Sequence, residues 1–424
     1  MKKLFDTKYS PEQFQDMVGN REICIYGVNL EGNGFRRLLP TLGYSVLGYI
    51  DSRPFKNNQK LNKPVFHPMQ FADFANPKEH FVLIATKHRA TREEATERLQ
   101  SLGMQPGRDF ITATDLCRYL PTIEVAGVCN LRCISCDVGV KDFKQGKLMS
   151  AEDYREVLMK MKSEIPFMNS VCLYLWGEPL LNKEMAEIIK ITHEAGIACE
   201  ISTNLNYKKN IEETIEAGPD LMLVPCSGWG ENYEVTHTRG RFKVFLDNLY
   251  RLRKAIDFYN AETSVRIVYH MYKHNLNEEY NQVEALAKEL GFHFGPIIAN
   301  IFPQKVYEYA VENKPLPEEM QKASKLTIIP LKEVLEKSLE RKDKSCPVML
   351  GFPTVRWDKS VQLCCNRVDP SIATNYMENS LEELNEMRDG HEVCTKCMDK
   401  GLHRFFDVNA KIQVVDGTRV ADRI

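Results

Sequence analysis

The sequence predicts an α/β protein: two successive parallel-sheet units, the second a partial barrel of six β/α repeats, then a small cysteine-bearing extension. Three observations predict it. Short apolar strands alternate with helix-length stretches, twice over, at the spacing of parallel βαβ units. Several of those helical stretches stop at glycine, as helices joined to a following strand commonly do. The cysteines collect at two places, one at the start of the second unit and one beyond its end.

Bulk composition agrees and excludes some classes. The chain has 424 residues, 43% apolar and 27% charged, which suits a globular protein of several domains. Its net charge of -2 gives no electrostatic case for nucleic acid or membrane as partner. "MKKLFDTKYS" lacks the apolar core of a secretory signal, and no run of about 18 apolar residues occurs, so a cytoplasmic protein is expected. Thirteen cysteines in such a chain point to metal or redox roles more than to disulfides.

Residues 1–118 form the first expected domain. "EICIYGV" is an apolar strand with a glycine-bearing turn, and "GFRRLLPTLG" a helical pattern stopping at Gly43. "YSVLGYID" is a second strand ending in Asp51, "HFVLIAT" a third, and "RATREEATERLQSLG" a helix stopping at Gly103. The first turn resembles a dinucleotide-binding fingerprint through Gly27, Asn29, Gly32 and Asp51, which implies a Rossmann-like domain. Asn29 stands where that pattern has a glycine, to let the backbone approach a pyrophosphate. Both a nucleotide site and a structural or substrate-docking domain remain open.

Residues 119–325 form the second unit. Its strands are "TIEVAGV", "SVCLYLWGEP", "IACEISTNLN", "DLMLVPCSGW", "SVRIVYHMYKHN" and "FHFGPIIANI". Between them, "SAEDYREVLMKMKSEI" opens with Ser150 and Asp153 at capping-box spacing, and "NKEMAEIIKITHEAG" and "NEEYNQVEALAKELG" end in glycine. In β/α barrels the chemistry sits at the C-terminal ends of the strands. Residues 305–343 are charged, helical and punctuated by Pro315, Pro317 and Pro330, and residues 326–424 make the third expected domain.

"VCNLRCISCD" holds Cys129, Cys133 and Cys136 as C-x3-C-x2-C. Three thiolates can hold three irons of a cubane and leave the fourth open to a small molecule, while zinc would need a further ligand from elsewhere. With "WGEP" after the second strand and "STN" after the third, this stretch resembles the radical SAM enzymes, from about residue 120 to the end of the chain. The resemblance implies that Cys129, Cys133 and Cys136 hold a [4Fe–4S] cluster that binds S-adenosylmethionine. It implies that Trp176, Gly177, Glu178 and Pro179 meet the amino group of that cofactor, and that Ser202, Thr203 and Asn204 meet its ribose. Trp176 replaces the family's first glycine, and Ser135 its usual aromatic residue before the third cysteine. "SGWGENYEVTHTRGRF", with Ser227, Gly228, Trp229, Tyr233, His237 and Gly240, resembles a subgroup pattern that shapes the substrate side of the barrel mouth, and Arg239 and Arg241 either pair with a cofactor carboxylate or substrate phosphate or are solvated.

Cys346, Cys364, Cys394 and Cys397 resemble the ligands of the family's Twitch/SPASM extensions, which implies an auxiliary [4Fe–4S] cluster. Cys365 beside Cys364 competes for one ligand place, and His403 and Asp407 stand where full extensions carry further cysteines. Four thiolates suit zinc as well. Cys226 ends the fourth barrel strand, where its thiol either faces the cavity and returns a hydrogen atom to a substrate radical or is an inert buried group.

The resemblance implies an enzyme that cleaves S-adenosylmethionine to a 5′-deoxyadenosyl radical and abstracts hydrogen, for oxidation or epimerisation. Flavodoxin or ferredoxin would be its reductant. The expected substrate is a small molecule, such as a sugar or nucleotide-linked sugar, docked with help from the N-terminal domain. The alternatives are a maturase of a ribosomal peptide or protein, and a non-catalytic Fe–S electron-transfer or scaffold protein.

Overall fold

The computed structural model describes residues 7–53, 62–86, 89–141, 143–343 and 345–408. The first unit runs α1 (Pro11–Val18), β1 (Glu22–Tyr26), α2 (Leu30–Thr41), β2 (Val46–Ile50), β3 (Val65–Phe66), α3 (Pro68–Phe74), β4 (His80–Ile84), α4 (Arg89–Ser101), β5 (Phe110–Thr112). Its five strands are parallel, in the order β3-β2-β1-β4-β5. The central β1 and β4 are almost wholly buried, as strands covered on both faces must be. The edge strands β3 and β5 fall on stretches with no sequence signal, since two or three residues carry no readable period.

The second unit runs β6 (Thr122–Ile123), α5 (Ala151–Glu164), β7 (Ser170–Cys172), α6 (Met185–Glu194), β8 (Ala198–Ser202), α7 (Ile211–Ala217), β9 (Leu221–Cys226), α8 (Glu231–Thr236), α9 (Phe242–Tyr259), β10 (Ser264–Met271), α10 (Glu278–Glu289), β11 (His293–Ile298). Each of its six strands is parallel to the next. The Ser150 hydroxyl accepts from the Asp153 amide at 3.1 Å, but the Asp153 carboxylate accepts from that same hydroxyl, so half of the expected capping box forms. Gly196 and Gly291, just after α6 and α10, take the left-handed conformation that their places as helix stops require.

Beyond the barrel come α11 (Pro303–Glu312), α12 (Glu318–Leu326), α13 (Leu331–Glu340), β12 (Thr354–Val355), β13 (Val361–Gln362), β14 (Ser371–Ala373), α14 (Leu381–Arg388) and α15 (Glu392–Asp399). β12 pairs parallel with β6 and antiparallel with β13, so barrel and extension share one nine-stranded sheet, β11-β10-β9-β8-β7-β6-β12-β13-β14. One apolar core accordingly runs from Phe14 in the first unit through the barrel to Val408.

The first unit docks through α2 onto the N-terminal edge of the barrel strands. Gly34 lies against the Asn169 carbonyl, so closely that a Cβ there would stand 2.2 Å from the oxygen. Arg36 pairs with Glu262 at 2.7 Å and Arg37 with Asp220 at 3.0 Å. Asn169, Asp220 and Glu262 stand one or two residues ahead of β7, β9 and β10. The docking therefore uses the end of the barrel opposite to the cysteine loop.

The fingerprint turn is filled by its own side chains. Asn29 caps α2 by accepting from the Gly32 amide at 3.0 Å, and its amide nitrogen donates to the Ala85 carbonyl at 2.7 Å. That bond spans β1 to β4, across the switch point where a pyrophosphate would lie. The Asp51 carboxylate accepts from the Val28 amide at 2.8 Å and pairs with Arg53. Of the two readings of the fingerprint, this geometry favours the structural one.

Candidate active site

Cys129, Cys133 and Cys136 lie on the loop leaving the C-terminal end of β6. Gln145 brackets Cys129, accepting from its amide at 3.3 Å and donating to its carbonyl at 3.1 Å. The Arg132 and Ile134 amides donate to the carbonyls of Thr238 and Thr236, and the Phe302 amide donates to the Ser135 carbonyl. Gly139 is needed for close approach: a Cβ there would lie 2.0 Å from the Cys133 carbonyl oxygen. Burial pushes the Cys129 thiol up to about 11 and Cys136 to about 12, and Cys133 rises further through burial and the charges of the other two. Such thiols become thiolates only with a cationic centre to hold them.

Mononuclear zinc gathers its donors tightly around one ion. Its donors lie about 2.0–2.3 Å from one ion, hence within about 4 Å of one another. Among the described residues, the one group of three metal-ligating side chains within 4.8 Å of one another is His193, Cys199 and Asp220. That group belongs to the domain junction, where Asp220 accepts from Arg37, His193 and the Cys199 amide. Three cysteines on one loop can hold three irons of a cubane and leave the fourth open.

The "WGEP" stretch packs against this loop. A Cβ on Gly177 would stand 1.8 Å from the Ala126 carbonyl oxygen, so only glycine fits there. The Trp176 amide donates to Glu124, and the indole lies edge-on to Phe302 at 4.9 Å, which explains how a tryptophan is tolerated in the family's glycine place. Glu178 is buried with its carboxylate turned inward. It accepts from the Leu180 amide at 3.0 Å and the Asn204 amide at 2.8 Å. Burial raises it to about 7. Its carboxylate ties the second strand end to the third. Pro179 opens the short 3-10 turn that follows.

Thr203 and Asn204 are likewise committed to the frame. The Thr203 hydroxyl accepts from the Leu205 amide, and the Asn204 side chain donates to Asn130 at 3.0 Å and points its amide at the Cys129 sulfur, 3.7 Å away. Ser202 lies on the barrel's inner face. Register shows this: Glu200 and Ser202 pair with Leu221 and Leu223, and Leu223 with Arg266. Cys226 lies on the other face. It pairs with Tyr269, whose ring packs on Tyr280 of α10, so the Cys226 thiol faces the helices. It is fully buried, donates to the Gly228 carbonyl, and burial holds it up at about 12. Of the two readings of Cys226, this geometry favours the buried one, since strand alternation turns its thiol away from the inner face. On the inner face, Glu200 accepts from the Tyr174 hydroxyl at 2.5 Å, with Cys172 beside it.

The segment after β9 braces the cysteine loop from the side. His237 is buried, stacked on Tyr233 at 4.3 Å and hydrogen-bonded to Ser227 at 2.8 Å, and desolvation lowers it to about 3, so it is a neutral packing group. Arg241 is exposed and paired with Glu234. Tyr272, at the end of β10, donates to the Ser135 hydroxyl at 3.3 Å. It brings an aromatic ring to the place where Ser135 lacks one, from a strand that no local motif connects to the loop.

The C-terminal cysteines converge. Cys346 precedes a 3-10 turn, Cys364 follows β13, and Cys394 and Cys397 lie on α15. Burial raises Cys397 to about 12, with the charges of Cys346 and Cys394 adding to it, and Cys364 feels Cys365, Cys346 and Cys394. Cys365 feels Cys346 besides its neighbour Cys364 and packs toward Gly351. Arg367 and Arg388 are buried here, each with one guanidinium nitrogen lacking a hydrogen-bond partner among the described residues. Two such cations suit the excess negative charge of four thiolates on a cubane. His403 pairs through Nε2 with Asp343, its Nδ1 has no hydrogen-bond partner among the described residues, and Asp407 pairs with Arg404.

A family model described as the Radical SAM superfamily matches residues 123–279. An uncharacterised protein of Methanocaldococcus jannaschii is 27% identical over 187 residues, 43% of this chain and 57% of that protein. The Fe-coproporphyrin III synthase of Methanosarcina barkeri is 27% identical over 129 residues, 30% of this chain and 32% of that protein. The matched regions thus span little more than half, and about a third, of these relatives' own lengths. The crystal structure of BtrN in complex with AdoMet and 2-DOIA aligns over 72% of this chain and 96% of that one, at 16% identity and a TM-score of 0.37. Residues 123–279 of this chain thus match a radical SAM domain, and the cofactors of such a domain are a [4Fe–4S] cluster and S-adenosylmethionine.

Proposed function

We propose that this chain is a radical SAM enzyme acting on a small polar molecule, by oxidation or epimerisation, with an auxiliary [4Fe–4S] cluster in its C-terminal extension. The observation that carries the reading is the cysteine triplet at the C-terminal end of β6, tied through Asn204 and Glu178 to the ends of β8 and β7. Cys129, Cys133 and Cys136 hold the first cluster, and Cys346, Cys364, Cys394 and Cys397 the second. When bound, the first cluster supplies the electron that splits the sulfonium of S-adenosylmethionine into methionine and a 5′-deoxyadenosyl radical.

The chain's own residues do the rest. The backbone at 176–179 binds the amino group, while the Glu178 carboxylate accepts from the Leu180 and Asn204 amides. Ser202 faces inward to a ribose hydroxyl. Glu200 and Arg266 share the inner face and offer a carboxylate and a guanidinium to a polar substrate. Both side chains are partly buried and Glu200 accepts from the Tyr174 hydroxyl, so a substrate bearing hydroxyls or charge suits this face better than an apolar one. A small ferredoxin or flavodoxin serves as reductant.

Anaerobic reconstitution of the native chain and of a Cys129/Cys133/Cys136→Ala variant tests this. About eight irons are expected in the first and about four in the second, with dithionite-driven 5′-deoxyadenosine only from the first. An iron-replete native chain that forms no nucleoside would leave the electron-transfer or scaffold reading. Substrate deuterium recovered in 5′-deoxyadenosine from a peptide, and from no small molecule, would replace the substrate class.

A further inference from the structure

We infer that Arg356 and Trp357, directly after β12 in the C-terminal extension, are positioning residues that hold the two S-adenosylmethionine-binding loops of the barrel in place. This rests on the radical SAM reading above. Arg356 acts on the second-strand loop. Its Nε donates to one oxygen of the fully buried Glu124 at 3.0 Å, and the other oxygen of Glu124 accepts from the Trp176 amide at 3.1 Å. A single carboxylate thus links the extension to the residue that opens "WGEP".

Trp357 acts on the cysteine loop. Its indole lies on the backbone of two glycines, and a Cβ at Gly127 or Gly146 would meet the ring at 2.2 or 2.0 Å. The Gly146 amide donates to the Gly127 carbonyl at 2.7 Å, which closes the loop that carries Cys129. The neighbouring Gln145 brackets the Cys129 backbone. The indole nitrogen has no hydrogen-bond partner among the described residues, so what Trp357 contributes here is a flat wall. Pairing of β12 with β6, continued by the Glu124 amide donating to the Val355 carbonyl at 2.8 Å, delivers both side chains to these loops. Sites of this kind lose function when the supporting residues let the binding groups drift by about an ångström.

The test uses the reconstituted full chain and reads iron content, the dissociation constant for S-adenosylmethionine, and the change in the reduced cluster's EPR spectrum on adding it. Trp357→Ala should keep the native iron count, weaken cofactor binding about tenfold, and move the spectral change to correspondingly higher cofactor concentration. Trp357→Phe should restore binding to within about threefold, because a phenyl ring still covers the glycines. The matched pair Glu124→Gln with Arg356→Met removes the ionic link without stranding a charge, and should weaken binding in the same way. It carries the test if Trp357→Ala does not fold. Native affinity and spectrum in both would overturn the inference. A native chain with no cubane signal, or with none that responds to S-adenosylmethionine, would instead overturn the radical SAM reading itself.

Discussion

At the scale of single residues, two positions separate ligands and packing groups that look alike in the sequence. Cys364 and Cys365 are adjacent, but only Cys364 feels both Cys346 and Cys394, while Cys365 turns toward Gly351. Cys365→Ser should therefore retain about eight irons after reconstitution and Cys364→Ser about four; the reverse pattern would move the ligand to Cys365. His237 shows the opposite case, a motif residue held by packing. Desolvation, with the His270 charge adding to it, holds its imidazole at about 3, against about 6.5 in the unfolded chain. Between those values the unfolded chain takes up a proton and the folded chain does not. The stability His237 contributes is thus complete above about pH 6.5 and is lost as pH falls toward 3, by about 1.4 kcal/mol per pH unit. His237→Phe, which keeps a ring on Tyr233, should flatten the acid limb of the urea midpoint against pH. An unchanged slope would assign that limb to other groups.

At the scale of elements, α2 is the part whose role changed most between sequence and structure. Its fingerprint glycines are present, but Asn29 fills the crevice they open and the helix body is a docking face. Phe35, Leu38 and Leu39 are buried on it, each contributing about 1.5–3 kcal/mol, and Arg36 and Arg37 ion-pair with the barrel. Gly34→Val would drive a side chain into the Asn169 carbonyl, 2.2 Å from the Cβ position. Overpacking of that kind should cost about 1–3 kcal/mol, read in the denaturation midpoint, with faster hydrogen exchange in α2. A native midpoint would show that the contact yields. The strands were legible where they were long, as β9 and β10 were, and not where two residues suffice, as in β3 and β12.

At the scale of the whole molecule, one sheet joins barrel and extension, and the N-terminal unit closes the opposite end of the barrel. The two cysteine groups therefore sit on one continuous framework, and the loops of the first are braced by residues of the second segment. Among the described residues no helix is long and apolar enough to cross a membrane.

The sequence by itself determined the order of strands and helices, the two cysteine groups and the strand-end motifs, because those depend on spacing along the chain. "VCNLRCISCD", "WGEP" and "STN" are local patterns, and each stands at a strand end in the fold. Tertiary structure alone decided which way a side chain points and what it meets. Strand register turned Cys226 to the helices, Glu178 was drawn inward by the Asn204 amide, and from distant segments Tyr272 and Trp357 reached the cysteine loop and Arg356 the second-strand loop through Glu124. The physical reason is that hydrogen bonding and close packing act between neighbours in space, and no periodicity in the chain records which neighbours those are.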